Sequence, residues 1–204
     1  MRVVTQPTLF QLPSQNAYPA RNAGAFPTGP YNIIYADPPW SYDDEANAGN
    51  RGACHKYPVM GNKAICDLPV KDIAAKDAVL FMWATMPKLK ESFEVIEAWG
   101  FTYKTNAFTW VKKYRNGRWF LGMGRWTRSN AELCLLATKG KPSRIGKNIC
   151  SVIDWPVMEH SRKPEEIRER IVSLCGDLPR IELFSRESAN GWDCWGKDAG
   201  KFDR

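Results

Sequence analysis

Histidine is nearly absent from this chain, with two residues in 204. Its six cysteines (Cys54, Cys66, Cys134, Cys150, Cys175 and Cys194) never fall into a C-x-x-C pair. Zinc ligation at the usual spacing is therefore excluded, no metal is implied, and reduced, mostly buried thiols are expected. No apolar run approaches the ~18 residues that a membrane-spanning helix needs. The segment Met1-Arg2-Val3-Val4 has no apolar core of a secretory leader. A cytoplasmic protein without a membrane partner is the expectation. No G-x-G follows an early strand, so an N-terminal dinucleotide fingerprint is missing, and no internal repeat is visible.

The most local absence is of acid. Between Glu97 and Glu132 there is none. The same stretch carries Lys104, Lys112, Lys113, Arg115, Arg118, Arg125 and Arg128, interleaved with Tyr114, Trp119, Phe120 and Trp126. Cations suit phosphates and aromatic faces suit bases, so the segment reads as a nucleic-acid groove, with a solvated hairpin tip as the alternative. The net charge of +7 agrees but is modest for this length.

What is present centres on Asp37-Pro38-Pro39-Trp40. It follows Tyr31-Asn32-Ile33-Ile34-Tyr35-Ala36, a run of strand formers. Two prolines lack N–H donors and have fixed φ, so the strand must stop there in a stiff loop. In open α/β sheets, ligands bind at the carboxyl ends of strands. A carboxylate and a proline carbonyl can both accept hydrogen bonds from an exocyclic amine, and an indole can stack on a base taken out of its helix. The competing reading is a turn whose Trp40 belongs to the core.

Along the chain, residues 1–29 are Pro-rich and aperiodic and read as an irregular arm before a single domain over 30–204. Residues 41–62 are polar and Gly/Asn-rich, as in a lid. A short helix is expected from Leu68 to Ile73. A strand buried on both faces is expected over Ala78–Ala84. Leu89, Phe93, Ile96 and Trp99 recur at helical spacing before Gly100. Phe101–Val111, Ala131–Thr138, Cys150–Ile153 and Arg180–Phe184 read as strands. A helix from Pro164 to about Cys175 carries its acids in the first turn and stops at Gly176. Strands alternating with helices give an α/β sheet covered on both faces.

Four blocks together resemble the N6-adenine methyltransferase family typified by the catalytic subunit of the eukaryotic mRNA N6-adenosine methyltransferase, with bacterial and phage DNA adenine methyltransferase members. They are residues 37–40, the stretch from Gly122 through Ser129-Asn130-Ala131-Glu132 to Gly140, Glu159-His160-Ser161-Arg162-Lys163-Pro164-Glu165-Glu166, and Ile181–Arg186 with Gly191–Gly196. The resemblance runs from about residue 30 to 197. It implies an α/β, Rossmann-like fold dependent on S-adenosyl-L-methionine, in permuted motif order, with D-P-P-W preceding the cofactor strand at 180–184.

By matching positions, the resemblance implies that Asp37 and the Pro38 carbonyl hold the adenine amino group, beside Pro39, while Trp40 lines the base pocket. Tyr57 would close over substrate and Glu132 would approach the adenosine, or else pair with Arg125 or Arg128 at the surface. Lys112, Lys113, Arg125, Trp126 and Arg128 would meet nucleic acid. Lys163 would meet the cofactor's carboxylate and Arg186 its ribose, with Glu182 and Phe184 on the cofactor strand and Asp37 beside the donor. Trp192 and Trp195 read as core, and His160 as a local hydrogen-bonding residue. The implied activity is methylation of adenine N6 in DNA, on a flipped or single-stranded base. RNA as substrate and a catalytically silent nucleic-acid-binding subunit are the alternatives. Family pairings suggest a homodimer by analogy.

Overall fold

Alternation along the central strand decides the architecture. In β1 (Tyr31–Ala36), Ile33 and Tyr35 point to one side and Ile34 and Ala36 to the other, and all four are buried. A strand of this kind must be covered on both faces. The structure is a computed structural model describing residues 24–42, 59–124, 126–158, 162–197, 199, 200 and 203. The proposed arm therefore enters the description at residue 24, where Phe26 packs edge-on against Trp195 at 4.9 Å.

After β1 come two short helices, α1 (Asn62–Cys66) and α2 (Val70–Ile73), then β2 (Ala74–Ala84). A 3₁₀ turn at Met86–Lys88, with Pro87 inside it, leads into α3 (Leu89–Ala98). The long β3 (Thr102–Lys113) and β4 (Ala131–Lys139) flank the basic segment, and β5 (Val152–Pro156) follows. The chain ends through α4 (Glu166–Cys175), β6 (Arg180–Leu183) and the short β7 (Asp193–Trp195). Within α4, Ile167, Ile171 and Cys175 form one buried stripe at i, i+4, i+8, and Gly176, at φ 95°, supplies the left-handed stop. Among the described residues no helix is long and apolar enough to cross a membrane.

These seven strands form one sheet in the order β5-β3-β4-β2-β1-β6-β7. β1 pairs in parallel with β2 and β6, β6 with β7, and β3 with β5, while β4 runs antiparallel to both β2 and β3. β4 thus runs against all the others. One face, with Ile34, Leu80, Met82, Ile181 and Leu183, packs on Val95, Ile96 and Trp99 at α3. The opposite face, with Ile33, Tyr35, Phe81, Trp83, Phe108 and Trp110, packs on the stripe of α4.

The chain leaves β1 toward β2 on one side and returns to it much later as β6 on the other. This is a topological switch point, where a crevice opens beyond the carboxyl ends of two adjacent parallel strands. Ala36 pairs with Leu183, so Asp37 and Phe184 are the first residues past the sheet edge, and the Asp37 N–H donates to the Leu183 carbonyl at 3.4 Å. β3 is oriented like β1, so the segment 114–130 emerges from this same edge.

Candidate active site

Period-2 alternation places one row of polar side chains across the sheet at its carboxyl edge. Glu182 lies opposite Tyr35, Trp83 opposite Cys134, and Glu132 opposite Trp110. Asp37, two residues past Tyr35, and Lys112, two past Trp110, continue the same face. The residues entering α4 cover the row from outside. Together Tyr35, Asp37, Glu182, Phe184, Arg186 and Glu187 meet Arg162, Lys163, Pro164 and Arg168 around one pocket.

Lys163 is the hinge of this arrangement. Its Nζ donates to Asp37 Oδ2 at 2.7 Å, lies 3.4 Å from Glu132 Oε2, and stands 5.5 Å over the Trp83 ring. Burial would lower its pKa, but Asp37 and Glu132 outweigh that and hold it above its ordinary value. Glu132 is buried, which would raise its pKa, yet Lys163 and Lys112 keep it lowered. Glu132 does not lie at the surface, as the alternative reading had it. Its partners are Lys112, diagonal to it across the β3–β4 ladder, and Lys163.

Two further expectations are corrected. Trp40 does not offer a base a ring face. It is 5% exposed, and its indole N–H donates to the Trp83 carbonyl at 3.1 Å. A β-bridge to Met60 secures it in the α3-side core. Lys112 is not a phosphate contact at the surface. It is half-buried, paired with Glu132, and lies 4.9 Å from the Trp110 ring centroid. Lys113, partly exposed, pairs with Asp154 and lies over Trp119 at 4.9 Å.

The D-P-P-W loop is pinned through its backbone. Trp40 N–H donates to the Pro38 carbonyl at 2.9 Å, and Met60 N–H to the Pro39 carbonyl at 2.8 Å. A carbonyl oxygen has two lone pairs, so Pro38 retains acceptor capacity. Phe184 follows β6 at φ 63°, a conformation costly for a residue with a Cβ, and this turns the chain sharply at the pocket rim. Glu182 is buried on β6 and accepts from Arg168 Nε at 2.6 Å. Burial raises its pKa, and Arg168 only partly offsets this because Asp37 and Glu187 add negative charge. Trp192 and Trp195 are buried.

Of the nucleic-acid candidates, Trp126 is 99% exposed beside exposed Arg128, with Trp119, Leu121 and Met123 also exposed on the same segment. Tyr57, Arg125 and His160 lie outside the described residues. The sequence reading missed Trp83, Arg162, Arg168 and Glu187. Trp83 had a signal, since alternation along β2 puts it on the face of Phe81. The partners of Arg168 had none, being 14 and 19 positions away across a turn.

An α/β sheet whose switch point brings a D-P-P-W carboxylate against a half-buried lysine defines a methyltransferase of the Rossmann-like class. The chain belongs to the MT-A70 family, whose model matches residues 31–198. It is 36% identical over 188 residues to the Type II methyltransferase M.MunI of Mycoplasma sp, covering 83% of this chain and 78% of that protein. It is 29% identical over 173 residues to the N(6)-adenosine-methyltransferase MT-A70-like protein of Arabidopsis thaliana, covering 80% of this chain and 23% of that protein. It is 28% identical over 165 residues to the human N(6)-adenosine-methyltransferase catalytic subunit METTL3, covering 78% and 26% respectively. The chain thus spans most of the first relative and about a quarter of the other two.

Proposed function

We propose that this methyltransferase transfers the methyl group of S-adenosyl-L-methionine to N6 of adenine in DNA, acting on a flipped or single-stranded base. The observation that carries the reading is the position of Asp37, a carboxylate at the open carboxyl edge with one oxygen bonded to Lys163 in the wall of the adjoining pocket. The donor set suits the cofactor. Lys163 is a cation for the cofactor's carboxylate, Arg186 is a donor toward its ribose, and Glu182 and Glu187 are acceptors for hydroxyl groups. Lys163, Glu182, Phe184 and Arg186 would hold the cofactor, which supplies an electrophilic sulfonium methyl group when bound.

This chain's residues contribute placement. Asp37, accepting through the oxygen that Lys163 does not take, and the Pro38 carbonyl orient the amino group and draw its lone pair outward. They do so as preorganised acceptors rather than as strong bases. Lys163 fixes the Asp37 rotamer, and the buried Trp40 fixes the loop that carries it. Outside the pocket, Arg115, Arg118 and Arg128 supply positive charge to phosphates, and Trp126 a ring for a neighbouring base.

Asp37→Ala should retain binding of S-adenosylhomocysteine and abolish methylation measured by nucleoside mass spectrometry. Near-normal turnover would refute the assignment. RNA is a second reading, favoured by the relatives named as N(6)-adenosine methyltransferases. Turnover on matched deoxy- and ribo-oligonucleotides separates the two.

A further inference from the structure

The pocket holds two separate charge clusters. One is centred on Lys163 with Asp37 and Glu132. The other is centred on Arg168, in the first turn of α4, which donates from Nε to Glu182 Oε2 at 2.6 Å and from Nη1 to Glu187 Oε1 at 2.8 Å. Arg162 closes the far side of the second cluster, pairing with both Glu187 and Glu165. The Arg168, Glu182 and Glu187 side chains are each no more than 15% exposed. All three line the pocket. The turn that delivers Glu187 is itself fixed, since Ser185 Oγ donates to the Glu187 carbonyl at 2.6 Å.

We propose that Arg168 is a positioning residue for cofactor binding: one guanidinium fork sets two carboxylates, Glu182 from β6 and Glu187 from the loop after it, so that their remaining lone pairs accept the ribose hydroxyls of the bound nucleoside. The proposal rests on the cofactor reading above. The chemistry requires both partners. Two carboxylates this close to one another repel and would each favour protonation, and a protonated carboxyl loses acceptor capacity. A guanidinium is always charged and presents its donors in a rigid plane, so it can hold two acids at fixed angles where an ammonium cannot. The Lys163 cluster then meets the amino-acid end of the ligand and the Arg168 cluster its sugar.

Burial and the charges around Glu182 sharpen this. It faces Arg168 from α4, Tyr35 from β1, Asp37 from the loop after β1, Glu187 from its own following loop, and Cys194 from β7. Arg168 is the cation opposing its protonation, so removing Arg168 moves Glu182 further upward in pKa. Ligand binding by an Arg168→Gln variant should therefore weaken more steeply with falling pH than binding by the unaltered protein.

The test is calorimetric binding of S-adenosylhomocysteine and of its 2′-deoxy and 3′-deoxy analogues to the full chain. The unaltered protein should bind the parent ligand about tenfold or more tighter than at least one deoxy analogue, the amount expected for a hydrogen bond to a charged group. In Arg168→Gln that discrimination should fall to about twofold, and Glu187→Gln should lie between. Arg168→Lys, which keeps the charge and loses the fork, should resemble Gln rather than the parent. A role confined to folding would weaken all ligands equally and leave the discrimination intact, which overturns the proposal. Should Arg168→Gln not fold, Glu187→Gln and Arg168→Lys decide by the same criterion. If the unaltered protein binds no S-adenosylhomocysteine, the cofactor reading itself fails. If it binds and the variants discriminate as it does, only the role of Arg168 fails.

Discussion

Lys163 and Trp40 show how a residue can matter to a site in ways that its type does not announce. The sequence singled out both, and the structure gives them different tasks. Lys163 sits among carboxylates at the pocket, whereas Trp40 is buried beneath the loop it belongs to. Trp40→Ala should therefore cost about 3–5 kcal/mol of stability, measured by urea unfolding, because it leaves a cavity and removes the hydrogen bond to the Trp83 carbonyl. Glu132 gives a pH prediction. Its folded-state pKa is depressed below the unfolded value by Lys163 and Lys112. Its contribution is thus fully present above the unfolded carboxylate range near pH 4.5 and is lost as pH falls through the lower folded value. Glu132→Gln should lose roughly 1–3 kcal/mol at pH 7, and its melting temperature should fall less steeply than the parent's below about pH 4.5. The acid and the lysine at this site were legible because they lie in distinctive local motifs. The partners of Glu132 were not, because pairing with Lys112 depends on strand register, which no local pattern records.

At the scale of elements, apolar runs and helix start and stop signals did most of the predicting. The continuous apolar run Ala78–Ala84 marked the buried part of β2, which begins four residues earlier at Ala74, and first-turn acids with Gly176 bounded α4. Ile171, central in the stripe of α4 and fully buried, should cost about 2–5 kcal/mol when changed to Ala. Because α4 carries Arg168 and follows directly on Lys163, that change should also weaken S-adenosylhomocysteine binding. Calorimetry before and after stabilisation with an osmolyte would separate the local loosening from global unfolding. The elements that escaped the sequence reading are short. β7 has three residues and α1 five, of which only Ile65 is buried. Too few side chains are involved to show a period, and both elements exist because the larger ones give them something to pack on. The sheet order was not legible either, since β3, β4 and β5 could be arranged in several ways by local pattern alone.

Over the whole molecule, positive charge and exposed aromatic surface coincide with the edge that holds Asp37. The segment 114–130 leaves the sheet at that edge, with exposed Arg115, Arg118 and Arg128 and the fully exposed ring of Trp126. Affinity for a single-stranded oligonucleotide should fall linearly with the logarithm of salt concentration. Arg118→Ala and Arg128→Ala should each reduce that slope by about one without changing base preference. Trp126→Ala should cost about 1–3 kcal/mol with the slope unchanged. Fluorescence anisotropy across a salt series reads all three. The sheet order also bears on synthesis. β1 emerges from the ribosome before β2, β3, β4 and β5, and β6, which lies beside it, emerges only after them. Until then one border of β1 has no partner, and Glu182, Phe184 and Arg186 are missing from beside Asp37. A product terminated before Arg180 would therefore be adhesive along that border, and the nascent protein completes its pocket only once β6 has been made.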